Sequence, residues 1–304
     1  VLVTVVSDLG GSTRLVAAIE SLGEQAFGAS IALVAEPGCV DGRPHVRLRK
    51  SVIAAGHSGE TRLDLVEALR ALGARRNPPS TVVVAVSAAN TLDTVQTMLE
   101  EPVVRRQCVL DAVIAAVDAR RLSTRIATAA PRFLDDERVA VWTADRIALA
   151  HSEQLTAEGL ASVLDGLEAE VPGAVILAPA VAPVTADRVL GLDAWAGPHR
   201  FSSLDRFAAE HVLTLRAQVP LAATLVDEWS DMVRDELGPR LWRLQGRVAL
   251  RGEPRPLDCI GIRSFVSGAP SRAAHAAAAS TVTIVGQALP RELICSGFGS
   301  IAAD

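Results

Sequence analysis

Residues 1–15 read VLVTVVSDLGGSTRL. Val1–Val6 is a continuous, β-branched apolar run, the pattern of a strand buried on both faces. Gly10 and Gly11 make a turn. Ser12 or Thr13 then offers a side-chain oxygen to cap a helix running to about Leu22, with Leu15, Ile19 and Leu22 along one face. A strand, a glycine turn and a helix start form the arrangement in which backbone N–H groups cradle a phosphate. The full pattern for that task is G-x-x-x-x-G-K-[ST], whose lysine reaches the β- and γ-phosphates. Here the glycines and hydroxyls are present and the lysine is missing. The stretch is a working phosphate loop, an eroded one, or a plain turn.

The alternation that starts here continues. Ile31–Ala35, Thr81–Val86, Leu110–Val117, Arg146–Ala150 and Gly173–Leu177 read as strands, and His45–Ala54 as a partly alternating one. Between them the spacing predicts helices over Glu60–Arg75, with Leu63, Leu65, Val66, Leu69 and Leu72 near one side, and over Thr156–Leu167. Strands alternating with helices imply right-handed βαβ units: an α/β domain whose sheet is mostly parallel and flanked by helices. Ligands of such sheets bind beyond the carboxyl ends of the strands. That singles out Ser7–Thr13, Ser87–Thr91, Asp118–Arg121 and His151–Glu153. Past Pro183 the texture changes. Residues 185–208 read as a linker between a first domain, 1–184, and a smaller α+β domain, 209–304. The second has strands over Val212–Gln218, Trp242–Leu250, Cys259–Phe265 and Thr281–Val285, a helix over Leu221–Glu236, and a loop or weak helix over Ser267–Ser280.

Composition narrows the function. With 304 residues, 49% of them hydrophobic, the chain builds one large core or two smaller ones. A net charge of -5 argues against a general polyanion binder and leaves room for a local basic patch. No apolar run is long enough to span a membrane, and no signal-peptide pattern is present; a first residue other than Met predicts a trimmed N-terminus. No two of Cys39, Cys108, Cys259 and Cys295 are close enough for a C-x-x-C, which fits isolated thiols in a reducing cytoplasm. The basic runs Arg43–Lys50 and Arg105–Arg106 have no interleaved aromatics, and with four Trp, six Phe and no Tyr there is no stacking platform for nucleic acid.

VTVVSDLGGSTRL, STVVVAVSAANTLDTVQTMLE, VLDAVIAAVDARRL and ADRIALAHSEQLTAEGL fall in the order and spacing of the CobW family of P-loop GTPases, which this chain resembles over nearly its whole length. RLWRLQGRVAL and STVTIVGQALPRELI resemble strands of that family's C-terminal domain. The resemblance implies a P-loop GTPase fold, GTP and Mg²⁺ as ligands, and a link to delivering zinc or cobalt to client proteins. It places the nucleotide at Gly10, Gly11, Ser12, Thr13, Ser87, Asp118, His151 and Glu153.

The functional motifs depart from the family. The first loop is about two residues short and lacks its lysine; Arg14 carries a planar fork instead of a compact ammonium, and Asp8 brings negative charge towards the phosphates. The strand ending E-[ST]-S-G has become AVSAAN (Ala85–Asn90), without its carboxylate. The base-reading N-K-x-D has become AHSE (Ala150–Glu153): Ala150 cannot bond a base, His151 replaces the lysine, and Glu153 keeps a carboxylate. The metal motif C-x-C-C gives way to GHSGETRLDL, leaving His57 and Glu60 as candidate ligands, too few for a tight zinc site. Lysine occurs once in the chain, at Lys50, near neither motif. The expectation is a pseudo-GTPase acting as a binding or adaptor protein in zinc or cobalt homeostasis. By resemblance to motif-poor relatives it has a ribosome-hibernation role, with a client metalloprotein or a ribosome-associated factor as partner. The alternative is a weak GTP hydrolase and metallochaperone.

Overall fold

The computed structural model describes residues 1–27, 30–40, 46–47, 59–195, 210–271 and 279–303. They form two compact units, Val1–Leu192 and Asp193–Asp304. The first is a seven-stranded sheet in the order β3-β2-β4-β1-β5-β6-β7, with every pairing parallel. Its strands are β1 (Leu2–Leu9), β2 (Ile31–Ala35), β3 (Val46–Arg47), β4 (Thr81–Ser87), β5 (Val109–Asp118), β6 (Arg146–Ala150) and β7 (Ile176–Leu177). Its helices are α1 (Ser12–Phe27), α2 (Gly59–Gly73), α3 (Thr91–Glu100), α4 (Pro102–Gln107), α5 (Ala119–Ala127), α6 (Asp135–Thr143) and α7 (Ala157–Glu170).

The central strands are apolar on both faces because helices cover both: Val3, Val5 and Val6 of β1, Val82 to Val86 of β4 and Ala112 to Ala116 of β5 are buried. Leu15, Val16 and Ile19 of α1 pack on Val6, Val83, Ile114 and Ala148. On α2 the buried stripe is Leu65, Leu69 and Leu72, one turn apart, so Leu63 falls outside it and is 65% exposed, against the expectation. Val189 and Leu190 are buried in the same core. The first unit therefore runs through residue 192, beyond the point where the linker was expected to begin; residues 196–208 of that linker lie outside the described residues. So does the rest of the strand expected over His45–Ala54.

The second unit is a five-stranded antiparallel sheet, β11-β10-β9-β12-β8. Its elements are β8 (Val212–Ala217), α8 (Ala223–Leu237), β9 (Leu241–Val248), β10 (Leu257–Ile262), β11 (Phe265–Pro270), β12 (Ser280–Gly286) and α9 (Arg291–Ala303). The run Cys259–Phe265 is not one strand. Arg263 takes a left-handed φ of 48° and reverses the chain into β11. Trp229 of α8 and Phe298 of α9 meet edge-on at 5.2 Å over the apolar face of the sheet. The other face carries Arg243, fully buried: its Nε and Nη2 donate to Gln245 Oε1 at 2.9 and 2.5 Å, and its guanidinium stacks on Trp195 at 3.9 Å. No helix among the described residues is long and apolar enough to cross a membrane.

Candidate functional site

The register of the parallel sheet gathers the candidate residues at the carboxyl ends of its strands. Asp8 of β1 stands level with Ser87 of β4 and Ala116 of β5, and Asp118 level with Ala150 of β6. Gly10 takes φ +90°, where an L side chain is strained, and Gly11 packs so closely that a Cβ would lie 3.0 Å from Ala150 Cβ and 3.1 Å from the Ala116 carbonyl. The turn hands the chain directly into α1 at Ser12.

The N–H groups of Gly10, Gly11 and Ser12 are engaged within the protein. The Asp8 carboxylate accepts from the Gly10 N–H at 2.9 Å and from the Ser12 N–H at 3.1 Å, through one oxygen, Oδ1. The Gly11 N–H donates to the Ala116 carbonyl at 3.2 Å. Asp8 therefore puts a negative charge at the positive end of α1, the position a phosphate takes in a phosphate loop. The hydroxyls turn away as well. Ser12, buried, donates to the Cys39 carbonyl, and Thr13 Oγ1 approaches the same oxygen at 3.4 Å.

The side chains around the turn pair with one another. Arg14 Nη2 meets Glu153 Oε1 at 2.5 Å, and its Nη1 lies 2.9 Å from His151 Nδ1. Arginine has no acceptor, so Nδ1 accepts and a neutral His151 carries its proton on Nε2. His151 sits at φ +62°, a left-handed conformation rare for a side chain of its size. Gln154 Nε2 approaches the same nitrogen at 3.3 Å while its Oε1 accepts from Arg120 Nη1 at 3.2 Å. Arg120 extends the chain to Asp118, which it clasps through two bonds of 3.1 and 2.7 Å. Asp118 also caps α5, accepting from the Arg120 and Arg121 N–H groups. Burial pulls its carboxyl pKa up, but the Arg120 side chain and these amides outweigh it, and the group titrates below its ordinary value.

The sequence reading passed over Glu36 and Gln154. Glu36, buried just past β2, accepts from the Ser87 N–H at 2.8 Å and Asn90 Nδ2 at 2.5 Å. A carboxylate from the segment after β2 thus stands against the end of β4; an isolated Glu after an apolar run gave no signal of it. Cys39 lies near both acids, and burial, Asp8 and Glu36 push its thiol up to about 12. It stays protonated at neutral pH. Of the metal candidates, His57 lies outside the described residues and Glu60 stands in the first turn of α2. Among the described residues, no group of three His, Cys, Asp or Glu is placed to hold a metal.

Among solved structures, the chain is similar to the zinc-bound YjiA GTPase from E. coli, at 18% identity and TM-score 0.68 over 99% of this chain and 98% of that one. It is similar also to a zinc-bound triple mutant of YjiA GTPase, at 19% identity and TM-score 0.67 over 99% and 98%. The chain has the fold of the YjiA GTPase. No family model and no curated protein sequence matches it. At this identity the likeness establishes the fold, parallel sheet and antiparallel second unit together, as the resemblance implied. The residues at the carboxyl ends do not fit GTP and Mg²⁺ as that fold ordinarily receives them. The Gly10 and Ser12 amides carry Asp8, the Ser12 hydroxyl carries the Cys39 carbonyl, and no lysine occurs among the described residues.

Proposed function

We propose that this protein is a pseudo-GTPase: a binding or adaptor protein in zinc or cobalt homeostasis that keeps the GTPase architecture and holds a protein partner without turning over GTP. The observation that carries this reading is the Asp8 carboxylate on the Gly10 and Ser12 N–H groups. A nucleotide phosphate has to displace an anion already covalently in place, and do so without the lysine that would reward the exchange. The partner classes suggested by the resemblance are a client metalloprotein and a ribosome-associated factor. The test is a titration with a fluorescent guanine nucleotide, with and without Mg²⁺, repeated with an adenine analogue. No binding up to millimolar concentration is the expected result; guanine-selective micromolar binding overturns it.

One observation favours the second reading, a weak GTP hydrolase and metallochaperone. Glu153 keeps a carboxylate where the family reads the base, partly exposed and held by Arg14. On that reading the nucleotide binds with Mg²⁺ dependence and Gly10→Asp abolishes it, while His57→Ala weakens zinc binding. Unchanged zinc affinity and stoichiometry in His57→Ala removes the metal branch.

A further inference from the structure

At the opposite end of the first unit's sheet, α2 and α4 finish side by side. A Cβ on Gly73, the last residue of α2, would stand 2.5 Å from Gln107 Oε1, at the end of α4. The two segments lead into the starts of β4 and β5, which flank β1 and so lie about 10 Å apart. Five arginines collect there: Arg70 in the last turn of α2, Arg75 and Arg76 just past it, and Arg105 and Arg106 in the last turn of α4. All five are exposed. Among the described residues, none of their guanidinium groups makes a hydrogen bond or ion pair. By contrast Arg14, Arg120, Arg121, Arg125 and Arg138 of the same unit each meet a carboxylate.

Helix dipoles favour a cation in a last turn, which accounts for Arg70, Arg105 and Arg106 one at a time. They do not account for Arg75 and Arg76, which lie beyond the helix end, nor for crowding five like charges on a chain whose net charge is -5. We infer that this arginine cluster is a docking surface for an acidic, extended protein segment carrying aliphatic side chains. The inference rests on the adaptor reading and supplies it with a binding face. Planar guanidinium forks pair bidentately with carboxylates. Val103, 40% exposed on α4 and one turn before Arg106, offers the apolar contact. Nucleic acid fits less well, because no Phe, Trp or Tyr occurs between Phe27 and Phe133 and these segments offer bases no aromatic ring to stack on.

The test is fluorescence anisotropy at low salt on the full chain, with a labelled peptide of Glu-Glu-Val repeats and a labelled oligouridylate of similar length. The parent binds the peptide saturably and more tightly than the oligouridylate. The variant R75A/R76A/R105A/R106A loses at least about tenfold in peptide affinity, while R251A/R255A, an exposed pair in the second unit, loses nothing. Absence of peptide binding, retention of it in the fourfold variant, or tighter binding of the oligouridylate through the same arginines each overturns the inference. R75A/R76A, outside any helix, carries the comparison if the fourfold variant fails to fold. The nucleotide titration reads only the far end of the sheet, so failure of the peptide result and failure of the pseudo-GTPase reading are seen separately.

Discussion

Replacing Asp8 by Ala removes the acceptor for two N–H groups at the start of α1 and a negative charge from its positive end. A side-chain acceptor at a helix start is worth about 1 kcal/mol, and a charge there adds about 0.3–1 kcal/mol. Asp8 is only half-buried, which keeps the charge contribution near the lower figure. Asp8→Ala therefore destabilises the first unit by about 1–2 kcal/mol, a fall in melting temperature of about 3–6 °C for a unit of this size. Asp8→Asn keeps an acceptor oxygen and loses about half as much. The same substitution has a second consequence. Because carboxylate and phosphate compete for the same donors, GTP raises the melting temperature of Asp8→Ala more than that of the parent. Thermal melts of the three proteins, with and without millimolar GTP and Mg²⁺, measure both effects. If Asp8→Ala melts with the parent, the carboxylate does not hold the turn; if the parent is stabilised by GTP and Asp8→Ala is not, Asp8 assists a nucleotide and the competition argument is wrong.

Gly11→Ala forces a methyl against Ala150 and the Ala116 carbonyl and costs about 1–3 kcal/mol in urea denaturation; a neutral result means the strand ends can separate there. Asp118 and Glu137 both titrate below their ordinary values. For Glu137, burial acts in the opposite direction, and the Arg125 bond, the Leu134 N–H and the Arg121 charge outweigh it. The unfolded chain therefore takes up these protons first, at about pH 4; the stabilisation is present above that pH and lost as pH falls through the lower folded values. A double variant Asp118→Asn, Glu137→Gln is less stable at pH 7 and loses less stability between pH 5 and about pH 3 than the parent; parallel curves refute this. Cys295 is exposed while Cys39, Cys108 and Cys259 are buried, so a thiol reagent at pH 8, a value on the order of the free-thiol pKa, labels Cys295 rapidly and the rest only after unfolding. Labelling of Cys39 at a comparable rate shows that the loop opens.

The strands of the first unit were legible because their signal is local: continuous β-branched runs such as Thr81–Val86 have no other comfortable place than a doubly covered sheet. Helices α3 to α6 and α9 were not. The segment Ala119–Ala127 is short and rich in arginine, and it is held as a helix by Asp118 at its start and by ion pairs to Glu137 that no local pattern announces. The site divides the same way. The sequence located the four strand ends, because βαβ topology dictates where they meet. It noted the wrong sign of Asp8 without seeing what the carboxylate bonds to, and it passed over Glu36 and Gln154, whose partners are contributed by other elements.

The two loop glycines each have a reason within the protein itself. In a working phosphate loop, glycine lets the backbone approach a phosphate. Here Gly10 is required by its own φ of +90°, and Gly11 by Ala116 and Ala150 at contact distance. Both demands come from protein packing and remain whether or not a ligand binds. The Asp8 carboxylate supplies the α1 amides with the anion they need, and the Cys39 carbonyl does the same for the Ser12 hydroxyl. A turn whose Gly10, Gly11 and Ser12 amides are satisfied internally is stable when empty, and it can be kept by selection on the fold alone. The retained glycines therefore say nothing for GTP in this chain; what bears on GTP is the identity of the group their loop amides hold, and that group is Asp8.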